Sequence, residues 1–220
     1  MDSLALVGAA GGVGTTRTTL ELGATLTRAE LSVIILDGAY TTQGLADHVS
    51  GSIGPDMMAV SCDEATLPEG LIEIDTAAGT LSVCPAFGPF DRLAQAKAPT
   101  NARRFGELIE SATSESDVVL VDCPPVGANQ AIAAVTTAEQ VLVVTPAGRP
   151  ASRLRAIERL ADLGVTDPRV VVTGEHTDDT LCVGPPTETD PAVTPTADAE
   201  TSPYATEIAM IARELFSLEL

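Results

Sequence analysis

A glycine-rich stretch near the start of the chain has the residue types and spacing of an anion-binding loop. It reads VGAAGGVGTTRTT from Val7 to Thr19. Glycines at 11, 12 and 14 let the backbone curl so that successive N–H groups point inward, and a helix beginning near Thr16 adds the positive end of its dipole. A tight turn made for packing explains the glycines alone equally well. The candidate phosphate-binding residues are Gly11, Gly12, Val13, Gly14, Thr15, Thr16 and Arg17.

Two aspartates that end predicted strands could form a metal site beside this loop. Asp37 follows the apolar run Val33 to Leu36, and Asp122 follows Val118 to Val121. The carboxyl ends of strands line the ligand crevice of a doubly wound sheet, so both carboxylates should face the loop. Together with the Thr16 hydroxyl they could hold a hydrated Mg²⁺. Taken singly, each aspartate could equally be a cap for the next helix.

The elements that must position these residues alternate between strands and helices. Helical spacing fills most gaps between short apolar runs of β-branched character, which predict five strands: Leu4 to Val7, Val33 to Leu36, Val118 to Val121, Val141 to Thr145 and Val170 to Thr173. The pattern predicts an α/β fold, a doubly wound and mostly parallel sheet with helices on both faces. Leu71 to Ile74 and Thr80 to Cys84 flank an Ala77-Ala78-Gly79 turn and are expected to pair as a hairpin, with the second segment joining the sheet.

The last part of the chain is expected to contain one loop and one helix. Residues 185–203 are rich in Pro, Thr, Asp and Glu and predict an extended surface loop. Residues 204–218 predict a helix that docks on the body through one apolar stripe. The stripe consists of Tyr204, Ile208, Ile211, Leu215 and Leu218. The length suggests a single domain over residues 1–220.

Composition indicates the salt concentration and the compartment in which the protein works. The chain has 31 acidic and 12 basic residues, a net charge of −19, a single lysine (Lys97) and only 3% aromatic residues. An acidic, lysine-poor surface is typical of proteins that work in molar salt, although an ordinary acidic cytosolic protein is the alternative. No apolar stretch approaches about 18 residues, and no charged leader precedes one, so we expect a cytoplasmic protein without membrane contact. The four cysteines lack C-x-x-C spacing, which argues against a zinc site.

These motifs resemble those of the MinD/ParA family of P-loop ATPases. AGGVGTT resembles the deviant Walker A motif, VIILDGAYTTQGLADHV the first switch, and VVLVDCPP the Walker B strand and the following switch. The segments GTLSVCPA, AEQVLVVTPAGRPASRLRAIERLADLGV and SPYATEIAMIARELF are similar to later parts of the family. The resemblance implies a P-loop NTPase fold and ATP or ADP with Mg²⁺ as cofactor. It also implies a face-to-face dimer across the nucleotide, with a second copy or a related P-loop protein.

The chain departs from the family pattern where the family performs catalysis. Ala10 and Thr15 stand where the family has lysines, and Ala39 stands where it has a water-positioning aspartate. The strand Val170 to Gly174 also lacks the Asn-Arg pair that helps hold adenine. Removing one electrostatic contact typically slows phosphoryl transfer roughly 10²-fold to 10³-fold. The resemblance therefore implies a degenerate member that binds nucleotide weakly or not at all and acts as a scaffold or regulatory partner.

Two other functions remain open. The first is a slow ATPase or GTPase in which Arg17 replaces the missing lysines by contacting a phosphate, the alternative being a solvent-facing arginine. The second is a DNA-tethering module that uses arginines around one helix. These are Arg149, Arg153, Arg155 and Arg159. Because Glu158 and Asp162 interleave with them on a strongly acidic chain, a solvated helix face is favoured.

Overall fold

The computed structural model describes residues 2–76, 79–174, 181–186, 190, 195 and 202–218. Within them, one sheet has the strand order β3-β4-β2-β5-β1-β6-β7-β8, and every neighbouring pair is parallel except β3 and β4. The strands are β1 (Asp2–Gly8), β2 (Ser32–Asp37), β3 (Ile72–Ile74), β4 (Thr80–Cys84), β5 (Val118–Cys123), β6 (Gln140–Pro146), β7 (Arg169–Thr173) and β8 (Leu181–Val183). The predicted fold class, the five predicted strands and the hairpin are confirmed.

Helices cover both faces of the sheet. They are α1 (Thr15–Thr27), α2 (Met57–Ser61), α3 (Leu67–Gly70), α4 (Phe90–Ala96), α5 (Pro99–Ala112), α6 (Asn129–Thr137), α7 (Pro150–Asp162), α8 (Pro203–Phe216) and a 3-10 helix, Gly44–His48. Helices α1 and α8 pack in one core layer, and residues of α2, α4, α5, α6 and α7 form the other. The result is a three-layer arrangement with the sheet in the middle.

The central strand β1 shows why this sheet forms and where its site must lie. Leu4 and Leu6 belong to one core layer while Ala5 and Val7 belong to the other, as the two-residue period of a strand requires. A strand buried on both faces carries a continuous apolar run, as Leu4 to Val7 do here. Because β1 lies between β5 and β6, the glycine-rich loop that follows it lies at the centre of the sheet, where the carboxyl ends of the parallel strands meet.

The C-terminal helix forms close to its predicted position. The Ser202 hydroxyl caps α8 by accepting a hydrogen bond from the Ala205 N–H, at 3.0 Å between oxygen and nitrogen. The helix ends at Phe216, two residues before the predicted end, because Ser217 adopts the left-handed conformation at φ 52°. Tyr204, Ile208, Ile211 and Leu215 of the predicted stripe are buried, and Leu218 packs against the same core.

Some expectations concern residues outside the described ranges. The predicted surface loop 185–203 lies mostly there, as do Ala77 and Ala78 of the predicted turn. None of the described helices is both long enough and apolar enough to cross a lipid bilayer.

Candidate functional site

The glycine-rich loop connects β1 to α1 and presents its backbone to open space. Gly12 and Gly14 have φ angles of 70° and 88°, a conformation that glycine adopts without steric cost. A side-chain carbon added to Gly11, Gly12 or Gly14 would meet no atom within 4 Å. Directly behind the loop, the first N–H groups of α1 have no partner within the helix and carry the positive end of its dipole. The loop therefore forms an accessible concavity suited to an anion.

Thr15, which replaces the family's lysine, leaves this concavity without a charged side chain at that position. Its hydroxyl lies close to Gly8 at the start of the loop. A side-chain carbon added to Gly8 would lie only 2.8 Å from Thr15 Oγ1. The same carbon would lie 2.9 Å from the carbonyl oxygen of Ala10. Gly8 is therefore required for the loop to close, and Thr15 contributes a neutral hydroxyl where a lysine would contribute a cation.

Thr16 and Asp122 form the polar floor of the site. The Thr16 hydroxyl donates to Asp122 Oδ2 at 2.6 Å, and Asp122 is almost fully buried. The other carboxylate oxygen, Oδ1, is buried without a hydrogen-bond partner among the described residues. A buried unpartnered oxygen is costly unless an ion or ordered water completes it. A hydroxyl beside an unpartnered carboxylate oxygen fits the oxygen ligands that Mg²⁺ prefers.

Asp37 lies beside Asp122 but is held by backbone. The two residues are register partners on the adjacent strands β2 and β5. Asp37 is fully buried, and its two oxygens accept hydrogen bonds from the N–H groups of Ala39 at 2.8 Å and Ala86 at 3.0 Å. The structure thus brings the predicted set of Thr16, Asp37 and Asp122 together, with Asp37 anchoring two loops. Among the described residues, no three His, Cys, Asp or Glu side chains form a group that could hold a metal.

Burial makes both carboxyls resist ionisation. Burial, followed by the charge of Asp122, raises the pKa of Asp37 to about 8 despite the bonds from Ala39 and Ala86. Burial raises the pKa of Asp122 to about 6 against the opposing hydrogen bond from Thr16. Two neighbouring carboxylates in a low-dielectric interior disfavour each other's charge. A divalent cation at this position would relieve that repulsion.

These raised pKa values predict a pH-dependent stability. The folded state retains protons that the unfolded carboxyls release near pH 4, so this stabilisation is present below pH 4 and is lost as pH rises through about 8. Asp122→Asn removes one of the two carboxyls and should flatten the decline. Denaturant unfolding at pH 5 and pH 8 measures the difference. Equal changes in the free energy of unfolding in wild type and variant would contradict this origin.

The first switch packs over the loop through the 3-10 helix Gly44–His48. A carbon added to Gly44 would lie 3.6 Å from Thr16 Oγ1. Asp47 and His48 line the same cavity of about 350 Å³ as the glycine-rich loop and Asp122. Ala39, which replaces the family's water-positioning carboxylate, lines this cavity with a methyl group. The cavity therefore combines a backbone cradle suited to an anion with a polar floor, and it has a methyl group at position 39.

Arg17 is engaged away from the loop. Its Nε lies 2.5 Å from Oε1 of the fully buried Glu21, one helical turn along α1. It also hydrogen-bonds the side chain of Tyr204, the buried first-turn residue of α8 whose pKa is raised chiefly by burial. Arg17 borders the cavity, but contact with a phosphate would require the pair with Glu21 to open. The physical reason is that a buried carboxylate needs a cation beside it.

The arginines around α7 have mixed surroundings. Arg159 donates to the carbonyl of Val126 at 3.1 Å, and Arg155 reaches Ser152 Oγ at 3.4 Å. Arg149 is exposed just before the helix, and Arg153 is half-buried. Arg159 thus supports the loop that follows β5. The sequence had suggested Arg159 only as part of a basic patch.

Sequence reasoning missed Asp47 and His48 as parts of the site. Both lie in the segment that resembles the first switch, and the signal that could have identified them is their place at the end of that segment. It also missed Glu21, although the four-residue spacing from Arg17 is typical of a helical ion pair.

Comparisons with known proteins identify the family and the fold. A family model described as an AAA domain matches residues 1–160. The septum site-determining protein MinD of Synechocystis is 30% identical over 161 residues, which make up 70% of this chain and 58% of the relative. The chain thus spans 58% of that relative's length.

Solved structures show the same fold over the whole chain. The MinC:MinD cell division protein complex of Aquifex aeolicus matches with a TM-score of 0.81 and 17% identity, covering 100% of this chain and 97% of the other. Pyrococcus horikoshii MinD complexed with Mg-ADP matches with a TM-score of 0.77 and 16% identity, covering 98% and 96%. The chain therefore belongs to this AAA-domain family, as a MinD/ParA-like member.

Proposed function

We propose that this protein is a degenerate MinD/ParA-like member that binds ATP or ADP weakly with Mg²⁺ and does not hydrolyse it at a useful rate. It acts as a scaffold or regulatory partner in cellular positioning or partitioning. The observation that carries the proposal is the composition of the cavity. Its backbone cradle and the Thr16–Asp122 pair are in place, while Ala10, Thr15 and Ala39 stand at the family's charged positions.

The binding half of the proposal rests on groups that do not depend on the missing lysines. The open cradle at Gly11, Gly12 and Gly14 offers N–H donors, and the start of α1 adds its dipole. Thr16 and the unpartnered oxygen of Asp122 would hold Mg²⁺, which would neutralise part of the phosphate charge. Pyrococcus horikoshii MinD, which shares the fold, was solved with Mg-ADP.

The non-hydrolysing half rests on charge. Phosphoryl transfer depends on positioning and on stabilising the charge of the transferring group. The cavity offers a neutral hydroxyl at Thr15 and methyl groups at Ala10 and Ala39. None of these three side chains can stabilise a phosphoryl oxygen with positive charge or orient an attacking water through a carboxylate.

The proposed partners and setting follow from the family and the composition. We propose dimerisation with a second copy or with a related P-loop protein, in the cytoplasm of a salt-loving organism. The Aquifex relative occurs in a MinC:MinD complex, which supports a protein partner in general terms. A net charge of −19 supports the high-salt setting.

Restoring the P-loop lysine tests the proposal. Thr15→Lys should tighten Mg-ADP binding by about tenfold to a hundredfold, since a charge-assisted hydrogen bond typically contributes about 1.5 to 3 kcal/mol. It should not restore hydrolysis, because Ala39 remains. Titration calorimetry measures the affinity. Thr136→Lys, on an exposed face of α6 outside the cavity, adds the same charge as a control. Equal affinities of the two variants would contradict phosphate binding at this loop.

A further inference from the structure

The loop after β4 and the first turn of α4 expose two large apolar side chains. Phe87 is 58% exposed and Phe90 is 82% exposed, whereas the other two phenylalanines of the chain, Phe105 and Phe216, are buried. Ala94, one helical turn after Phe90 on α4, is exposed as well. Two exposed phenylalanines three residues apart are typical of a surface that contacts another molecule. Phe87, Phe90 and Ala94 are called the α4 surface below.

The backbone that carries the α4 surface is fixed by the surrounding structure. The N–H groups of Ala86 and Phe87 donate to two buried carboxylates, Asp37 at 3.0 Å and Asp56 at 2.8 Å. The carbonyl of the next residue accepts a hydrogen bond from Gln43 Nε2 at 3.0 Å. A segment held in this way loses little conformational freedom when it binds, so the α4 surface is preorganised for a contact.

The surroundings of the α4 surface differ in charge from the rest of the chain. Residues 85–106 contain four of the 12 basic residues and one of the 31 acidic residues. Two of these cations are neutralised by nearby carboxylates, since Arg92 pairs with Glu64 at 3.2 Å and Arg104 pairs with Asp63 at 2.5 Å. Two copies that each carry a net charge of −19 repel each other least where their surfaces have no excess of carboxylates. The α4 surface is such a place.

Two charged residues on α4 complement each other between copies. Asp91 is exposed in the first turn of the helix, and Lys97 follows its last residue. Among the described residues neither forms an ion pair. Lys97 Nζ donates to Thr41 Oγ1 at 2.5 Å, and an ammonium group has three donors, so it can keep this bond while it meets a carboxylate.

An antiparallel pair of α4 helices brings these features together. If two copies cross at Ala94, Asp91 of each copy lies opposite Lys97 of the other, because the two residues are equally distant from Ala94 along the helix. Phe90 then lies opposite Ala98, a small residue that leaves room for the ring. Such a contact is isologous, so the same surface serves both copies and the assembly closes as a dimer.

We propose that the α4 surface is where a second copy of this chain docks, with the two α4 helices antiparallel. The inference gives the proposed dimerisation a surface and rests on it, but it does not involve the glycine-rich loop. Four phenylalanine side chains bury roughly 600 to 1,000 Å², less than the about 1,200 Å² of a stable specific interface. The dimer is therefore weak, and it dissociates at low micromolar concentration, where unfolding measurements report the monomer.

Sedimentation equilibrium of the nucleotide-free protein in molar KCl tests the surface. Between low micromolar and millimolar concentrations, wild type should pass from monomer to dimer. The double variant Phe87→Ser, Phe90→Ser should associate at least about tenfold more weakly, because buried aromatic side chains dominate the energetics of interfaces. Leu154→Ser is the matched control, since it removes another exposed apolar side chain, on α7, and should associate as wild type does.

Exchange of charge tests the antiparallel arrangement. Asp91→Lys places like charges against each other at both ion pairs of the dimer, and Lys97→Asp does the same with the opposite sign. Each variant alone should associate less than wild type, whereas a mixture of the two restores both pairs and should form mixed dimers preferentially. Sedimentation with one variant fluorescently labelled measures this, at the lowest salt concentration that keeps the fold, because salt screens ion pairs.

The outcomes separate this inference from the proposed function. If the folded phenylalanine double variant associates as wild type does, or if the mixed charge variants show no preference for each other, the inference is overturned. A wild type that is monomeric without nucleotide but pairs when Mg-ATP is added also overturns it, and the proposed dimerisation then stands. A wild type that stays monomeric in both conditions contradicts both, and the exposed rings then serve a partner of different sequence.

Discussion

Purified protein in high salt is expected to release phosphate from ATP and GTP no faster than a buffer control. Each lost electrostatic contact costs roughly 10²-fold to 10³-fold in phosphoryl transfer, and Ala10, Thr15 and Ala39 together represent three. Such effects are not strictly additive, so we expect a combined loss of at least about 10⁴-fold. A continuous phosphate-release assay with micromolar protein measures it.

A reconstructed site provides the positive control for this prediction. The triple variant Ala10→Lys, Thr15→Lys, Ala39→Asp restores the family's charged groups around an intact Thr16–Asp122 pair. Its turnover should rise by about 10³-fold or more above wild type. Wild-type turnover near that of the triple variant, abolished by Asp122→Ala, would show that the natural site is catalytic.

Phe105→Ala should destabilise the protein by about 3 to 5 kcal/mol, the usual cost of removing a buried phenylalanine. Phe105 is fully buried in α5 and meets Tyr40 edge to face, with 5.9 Å between the ring centroids. Its ring also lies 3.4 Å from the position of a side-chain carbon on Gly38, directly after Asp37. Loss of the ring should therefore loosen the first switch and weaken any Mg-ADP binding. Denaturant unfolding gives the change in stability.

Phe90→Ala is the matched control, because Phe90 is 82% exposed at the start of α4. Its free energy of unfolding should stay within about 0.5 kcal/mol of wild type. Similar losses in the two variants would contradict the packing described for α5.

The fold could be predicted from the sequence because its central strands are buried on both faces. The runs Leu4 to Val7 and Val118 to Val121 are continuously apolar for this reason, and both form strands at the centre of the sheet. The edge strand β8 was not predicted, since three residues, Leu181–Val183, carry too little pattern. The short helices α2 and α3 were not predicted either, because five and four residues are too few to show a helical pattern.

Spacing predicted which site residues come together, but not how each side chain is used. Thr16 and Asp122 are 106 residues apart and meet at 2.6 Å because parallel strands end at one edge. The second oxygen of Asp37 is engaged by Ala86, whose approach depends on the loop after β4. Arg17 pairs with Glu21 instead of pointing into the loop, because the carboxylate of Glu21 is buried on the same helix face and needs a cation beside it. These choices depend on burial, which motif spacing does not report.

The central claim, that Mg-ATP is bound without being consumed, is tested most directly by phosphorus NMR of millimolar Mg-ATP with the protein. One sample reports both properties, since binding broadens or shifts the phosphate resonances and hydrolysis adds those of ADP and free phosphate. We predict broadened resonances that sharpen with Asp122→Ala, and no ADP beyond the buffer control. Steady conversion to ADP that Asp122→Ala abolishes, or resonances that the protein leaves unchanged, would contradict the account.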